Sequence, residues 1–316
     1  MEHSMRAGPS DGRRAALFPL AMPRGGERAR APAGCAIPPS TRMSRGEGRA
    51  RPPVPAHALR CLATAALAAL LAACAARGPA TLHIDHSIQA KSQDSRVSIV
   101  VLHYTVANNI AALDILSRGN VSSHYLITDA PTPHIYQLVD ENRRAWHAGE
   151  SSWYGRSDLN ASSIGIEIVN RGPLGDGRWA PYSRAQIATL TTLLRGIIRR
   201  HQIKPFNIVG HSDIAPQRKT DPGPAFPWAQ LARAGIGRWY DADKARQYRL
   251  RFEQEGLPPI AWVQRQLRRV GYEVPDSGQL DPATRRVIAA FQMHYRPGNY
   301  SGEPDAETLG ILQALP

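Results

Sequence analysis

Residues 97–105 read VSIVVLHYT and residues 163–169 read SIGIEIV, two apolar, largely β-branched runs of strand length. A third run, FNIVG, spans 206–210. All three predict buried strands. Between the second and third lies a helical pattern. Ser183 can cap a helix running to about His201, with Ile187, Leu190, Leu194, Ile197 and Ile198 on one face. Strands alternating with helices predict an α/β domain around a mixed sheet, closing near Trp239 and Tyr240. Within 163–169 a period of two puts Ile164, Ile166 and Ile168 on one side, and Gly165, Glu167 and Val169 on the other. A carboxylate in such a run needs a partner or a task. The pattern alone leaves Glu167 equally open to being a half-exposed strand residue.

Chemistry-bearing residues cluster at the ends of these strands, where side chains leave the core. His103 falls at the end of the first run and His211 directly after the third. Asp221 follows ten residues later in HSDIAPQRKTDPG, a loop rich in turn formers and too polar for a core. Two histidines and a carboxylate match a catalytic zinc site with an open fourth position, although spacing alone leaves each histidine open to a structural role. Lys219, two residues before Asp221, reads by position as a solvated loop lysine. His124 and His147 can each be a substrate contact or a satisfied structural residue. Tyr104 and Trp146 can line a cleft or belong to the core. The chain carries neither a phosphate-cradling glycine loop nor a Ser-His-Asp arrangement.

A charged stretch over 241–255 precedes a second unit over 256–316. Its pattern is helix, turn, helix, turn, helix: WVQRQLRRVGY, DPATRRVIAAFQMHY and DAETLGILQAL. Asp281 and Asp305 stand as N-caps, with Pro282 in a first turn. GQLDPAT at 278–284 and GEPDAET at 302–308 form a short internal repeat. No cluster of histidines and carboxylates occurs there, so these helices are expected to carry no chemistry.

The 316 residues carry a net charge of +13, unevenly placed. Residues 1–73 hold 11 Arg against 4 acids, a net of +7, leaving +6 for the rest. Much of the basic signal sits in a leader, and no basic stripe interleaved with aromatics follows, which argues against nucleic acid as a partner. The three cysteines are Cys35, Cys61 and Cys74, so a metal in the folded part must be held by His and carboxylate. Residues 1–73 read as a disordered leader and signal peptide, with Met43 as a plausible true start. The apolar run 61–73, CLATAALAALLAA, would span about 20 Å as a helix. That is short of a ~30 Å hydrocarbon core and suits a signal peptide. Leu71-Ala72-Ala73-Cys74 resembles the bacterial lipobox, and Ala75 rather than Asp follows it. The resemblance implies a lipid anchor at Cys74, a tether over 74–96, and sorting to the periplasmic side of a Gram-negative outer membrane.

VLHYT, SSHYLI, AWHAG, SIGIEIVN and above all GHSDIAPQRKTDPGPAFPW, in this order over 97–243, resemble the type-2 family of N-acetylmuramoyl-L-alanine amidases. The tail resembles the three-helix peptidoglycan-binding domain. The resemblance implies a mixed-sheet domain flanked by helices and one Zn2+ per chain on His103, His211 and Asp221. It also implies Glu167 as the base and Lys219 as the partner of the negative oxygen. Peptidoglycan and muropeptides would be the partners, and a monomer is expected. Two other readings fit the same motifs: a zinc peptidase cutting within the stem peptide, and a muropeptide-binding protein without activity.

Overall fold

Five strands form the sheet that carries these residues in the computed structural model, which describes residues 82–316. They are β1 (Ile99–Tyr104), β2 (Tyr125–Ile127), β3 (Ile135–Gln137), β6 (Ser163–Ile168) and β7 (Ile208–Gly210), in the order β3-β2-β6-β1-β7. The pairs β2–β6, β6–β1 and β1–β7 are parallel, and β3 is antiparallel to β2. A separate ribbon pairs β4 (Ser152–Trp153) with β5 (Arg156–Ser157). Around them run α1 (Asn109–Arg118), α2 (Arg184–His201), α3 (His211–Ile214), α4 (Trp228–Arg233), α5 (Ala242–Glu255), α6 (Ile260–Arg269), α7 (Pro282–Tyr295) and α8 (Ala306–Ala314). The mixed sheet flanked by helices is the expected architecture.

The two faces of the sheet are built differently. Val100, Leu102, Ile164, Ile166, Ile168 and Ile208 form one face, covered by Ile187, Leu190, Leu194 and Ile197 of α2. That helix starts in a capping box: Ser183 Oγ accepts from the Gln186 amide, and the Gln186 side chain accepts from the Ser183 amide. On the other face the register pairs Ile99 with Ser163, Val101 with Gly165 and His103 with Glu167. Residues paired in parallel strands point the same way, so this face changes from apolar to ionisable along its length. Its apolar end, Ile99, Val101 and Val209, shares one core with Ile214, Leu267, Tyr272, Phe291 and Leu309. The C-terminal helices therefore cover the sheet beneath the site.

The charged stretch 241–255 is α5, and it packs against α8. Only Ala245 of this helix is fully buried. Ala245, Tyr248 and Phe252 pack onto the core of the C-terminal helices, and the backbones come close: a Cβ on Gly310 would stand 2.6 Å from the Ala245 carbonyl oxygen. These few apolar residues are set among charged ones, so the sequence reads as a link. The internal repeat is a repeated fastening. Gln264 accepts from the Gly278 amide and donates to Thr284 Oγ1, while Gln292 does the same with Gly302 and Thr308. Asp281 and Asp305 cap α7 and α8. Met43, the apolar run 61–73 and Cys74 lie outside the described residues, among which no helix is long and apolar enough to cross a membrane.

Candidate metal centre

The site lies at the carboxyl ends of β1, β6 and β7, where parallel strands release their side chains into a crevice. His103 is the last inward-facing residue of β1, and His211 opens α3 immediately after β7. The loop after α3 folds back so that the Ser212 amide donates to the Asp221 carbonyl (2.8 Å). Three atoms converge there. His103 Nδ1 stands 3.0 Å from His211 Nδ1 and 2.9 Å from Asp221 Oδ2, and His211 Nδ1 stands 3.1 Å from the same oxygen. All three residues are buried.

Hydrogen bonds behind the rings fix which nitrogens carry protons. Ser163 Oγ donates to the Leu159 carbonyl (2.6 Å), so it accepts from His147 Nε2 (3.2 Å). His147 Nδ1 is then an acceptor, and His103 Nε2 donates to it (3.1 Å). His211 Nε2 donates to the Ala148 carbonyl (3.0 Å). Both Nδ1 atoms consequently present lone pairs to a carboxylate oxygen. Three acceptors facing one another without a proton are unfavourable unless a cation lies between them. Nitrogen and oxygen ligands about 2.0–2.1 Å from a tetrahedral zinc stand about 3.3 Å apart, a few tenths more than the separations here. The group fits such an ion.

The electrostatics agree. Burial, and then the neighbouring His211, lower the His103 pKa to about 4, which keeps the ring neutral and its lone pair available. Burial would raise Asp221, but its close contacts with His103 and His211 outweigh it and hold the carboxyl well below the usual range. Glu167 has the opposite fate. Burial, and then the Asp221 charge, push it well above the ordinary carboxylate value, with Lys219 opposing. Its Oε2 is sealed from water and has no hydrogen-bond partner among the described residues.

A cavity of about 270 Å³ opens onto this group, lined by all three candidate ligands together with Glu167, Lys219, Tyr104 and Trp146. Tyr104 is held by a hydrogen bond to Thr220 (2.9 Å), and Trp146 is 58% exposed at the rim beneath the Arg144 guanidinium. A larger cavity of about 960 Å³, between 150–157 and 268–275, contains none of the candidate ligands.

His124 is absent from the cavity wall, whereas His147 lines it with its nitrogens engaged elsewhere. His124 Nδ1 accepts from the Gly165 amide (3.0 Å) and Nε2 donates to the Arg143 carbonyl (3.1 Å), so the buried ring has no free nitrogen. His147 spends both nitrogens on His103 and Ser163. A Cβ on Gly165 would stand 2.4 Å from the His147 ring, which explains a glycine in that strand. Sequence reasoning missed Ser163, Arg218 and Asp213. Arg218 donates to the carbonyls of Ala148 and Glu150 behind His211. All three act through neighbours distant in sequence, and the only available signal was a polar residue within a recognised motif.

Comparison with known proteins gives the same direction. Residues 93–224 match the N-acetylmuramoyl-L-alanine amidase family, and 257–312 match a peptidoglycan binding domain. The chain is 45% identical over 263 residues to N-acetylmuramoyl-L-alanine amidase AmiD of Escherichia coli K12, covering 79% of this chain and 95% of that protein. The chain belongs to the N-acetylmuramoyl-L-alanine amidase family. The family is in general zinc-dependent. Among solved members, AmpDh3 of Pseudomonas aeruginosa in complex with anhydromuramic pentapeptide is 43% identical, with a TM-score of 0.70 over 74% of this chain and 98% of that one. The Escherichia coli AmiD complex with anhydro-N-acetylmuramic acid-L-Ala-D-gamma-Glu-L-Lys is 44% identical, with a TM-score of 0.67 over 75% and 95%.

Proposed function

We propose that the protein hydrolyses the amide bond between N-acetylmuramic acid and L-alanine in peptidoglycan or its muropeptides, with one zinc ion on His103, His211 and Asp221. The observation that carries this reading is the convergence of three lone pairs beside Glu167, whose Oε2 is buried without a partner among the described residues. When bound, zinc supplies Lewis acidity to a water and to the scissile carbonyl. The chain's own groups do the rest. Glu167 accepts a proton from the water as its oxygen bonds to the lactyl carbonyl carbon. The same carboxyl returns the proton to the alanine nitrogen as the C–N bond breaks. A raised pKa suits this two-way transfer near neutrality. Lys219, at the cavity wall, faces the oxygen on which negative charge develops. Tyr104 and Trp146 offer rings to the sugar or peptide.

The family relationship, and the anhydromuramyl peptides seen in the solved members, support 1,6-anhydromuropeptides as substrates. The test is bound zinc and product mass for each folded variant. Removing any of His103, His211 or Asp221 is expected to abolish zinc binding. Glu167→Ala should keep zinc and lose about 10²–10⁴-fold in turnover, and Lys219→Ala about 10²–10³-fold. Near-normal turnover in Glu167→Ala would remove it as the base, and products cut within the stem peptide would make the protein a peptidase.

The same proposal makes Cys74 a lipid anchor at the periplasmic face of a Gram-negative outer membrane. It also treats 74–96 as a tether, 97–243 as the amidase region, 256–316 as a peptidoglycan-binding region, and the chain as a monomer. The apolar run ending at Cys74 supports the anchor. Membrane retention of a signal-processed Cys74→Ala protein would defeat it.

A further inference from the structure

Asp213 lies two residues beyond His211, fully buried, and belongs to no step described above. Its Oδ2 accepts from the Gly210 amide (2.7 Å), at the corner where β7 turns into α3. The other donors come from the C-terminal helices and the turn between them. Tyr272 Oη donates to Oδ1 (2.7 Å), and His294 Nδ1 donates to Oδ2 (2.8 Å). Both partners are themselves buried and wedged. His294 stacks on Trp228 with ring centres 3.8 Å apart, and Tyr272 packs edge-on to Trp153 and Phe291.

We propose that Asp213 is a positioning residue through which Tyr272 and His294 hold the metal centre in register. The corner it fastens aims His211, and through the bond from the Ser212 amide to the Asp221 carbonyl it also sets the second ligand. A shift of this one turn would displace two of the three ligands together. The C-terminal helices thus contribute to metal affinity as well as to any hold on the wall. By linkage, metal binding in turn tightens these helices. This inference rests on the zinc reading of the site.

The experiment uses the full chain and measures zinc affinity by competition with a chromogenic chelator, alongside thermal unfolding. His294→Phe keeps a ring against Trp228 but removes the donor, and is expected to weaken zinc binding about 10–100-fold while remaining folded. His294→Asn keeps a donor near the Nδ1 position but loses the stack. It should lower the melting temperature while preserving zinc affinity. Tyr272→Phe removes one hydroxyl and should weaken zinc about 10-fold. Hydrogen exchange in 282–295 should slow on adding zinc to the parent chain, and less so in His294→Phe. Unchanged affinity in folded Tyr272→Phe and His294→Phe would overturn the proposal. Equal loss in His294→Phe and His294→Asn, tracking stability alone, would overturn it as well. Absence of zinc binding in the parent chain would instead indict the metal reading.

Discussion

The two faces of one sheet solve different problems. Behind β6, Ile164, Ile166 and Ile168 meet the amphipathic helix α2 in a core that is mostly aliphatic, joined by Tyr125, Phe226 and Trp228. In front, the neighbouring positions are Ser163, Gly165 and Glu167: a proton acceptor for His147, a space for its ring, and a carboxylate without a partner. The rear face needs only volume and periodicity. The front needs particular atoms at particular places, and obtains them by letting a chain segment more than a hundred residues away finish its apolar end. The lesson is that the helices after Tyr240 form part of the scaffold of the site. Composition suggests an appendage at 256–316, but the front core runs from Ile99 and Val101 through to Phe291 and Leu309 without a break.

The sharpest way to break this comparison is to remove the front cover. Ending the chain after Tyr240 would expose Ile99, Val101 and Val209 and leave Asp213 without Tyr272 and His294. We expect no cooperative unfolding transition and no zinc binding, checked by circular dichroism melts and metal analysis. A folded, zinc-loaded fragment active on soluble muropeptides would return the tail to the role of tether. Trimming the rear cover should behave differently. Leu190→Ala deletes a fully buried side chain and is expected to cost about 2–5 kcal/mol in chemical denaturation. It should leave zinc affinity unchanged in the protein that remains folded, whereas a matching fall in affinity would show the two faces to be less independent than their contacts suggest.

The smallest effect should appear on acidification. Glu141 ties the loop after β3 to the end of α2. Burial would raise its pKa, but hydrogen bonds from Arg200, Tyr125 and His201 outweigh this and lower it from 4.5 to about 2. A carboxylate depressed in the folded state binds protons more weakly there than in the unfolded chain. Its contribution is therefore full above about pH 4.5 and is lost as pH falls toward 2. Denaturation midpoints for the parent and Glu141→Gln should differ near neutrality and converge in that window. A difference that persists at pH 2 would assign the effect to packing.

The sequence by itself determined three of the five sheet strands, the helix over 184–201, the three helices of the tail and the candidate donor set. Buried strands and the capped helix over 184–201 follow from local pattern, because side-chain periodicity and an N-cap act within a few residues. His103, His211 and Asp221 were legible because strand ends and turn-rich loops are where a chain can expose such groups, and because the motifs around them are long. Tertiary structure alone decided three things. It engaged both ring nitrogens of His124 and of His147, with Gly165, Arg143, His103 and Ser163 as partners, none of which is marked by spacing. It made a charged stretch into α5, because only Ala245, Tyr248 and Phe252 reach the core and charged residues separate them in sequence. And it joined Asp213 to His294 across 81 residues. Hydrogen bonds of that span depend on how whole elements dock, and no local pattern of residues records the docking.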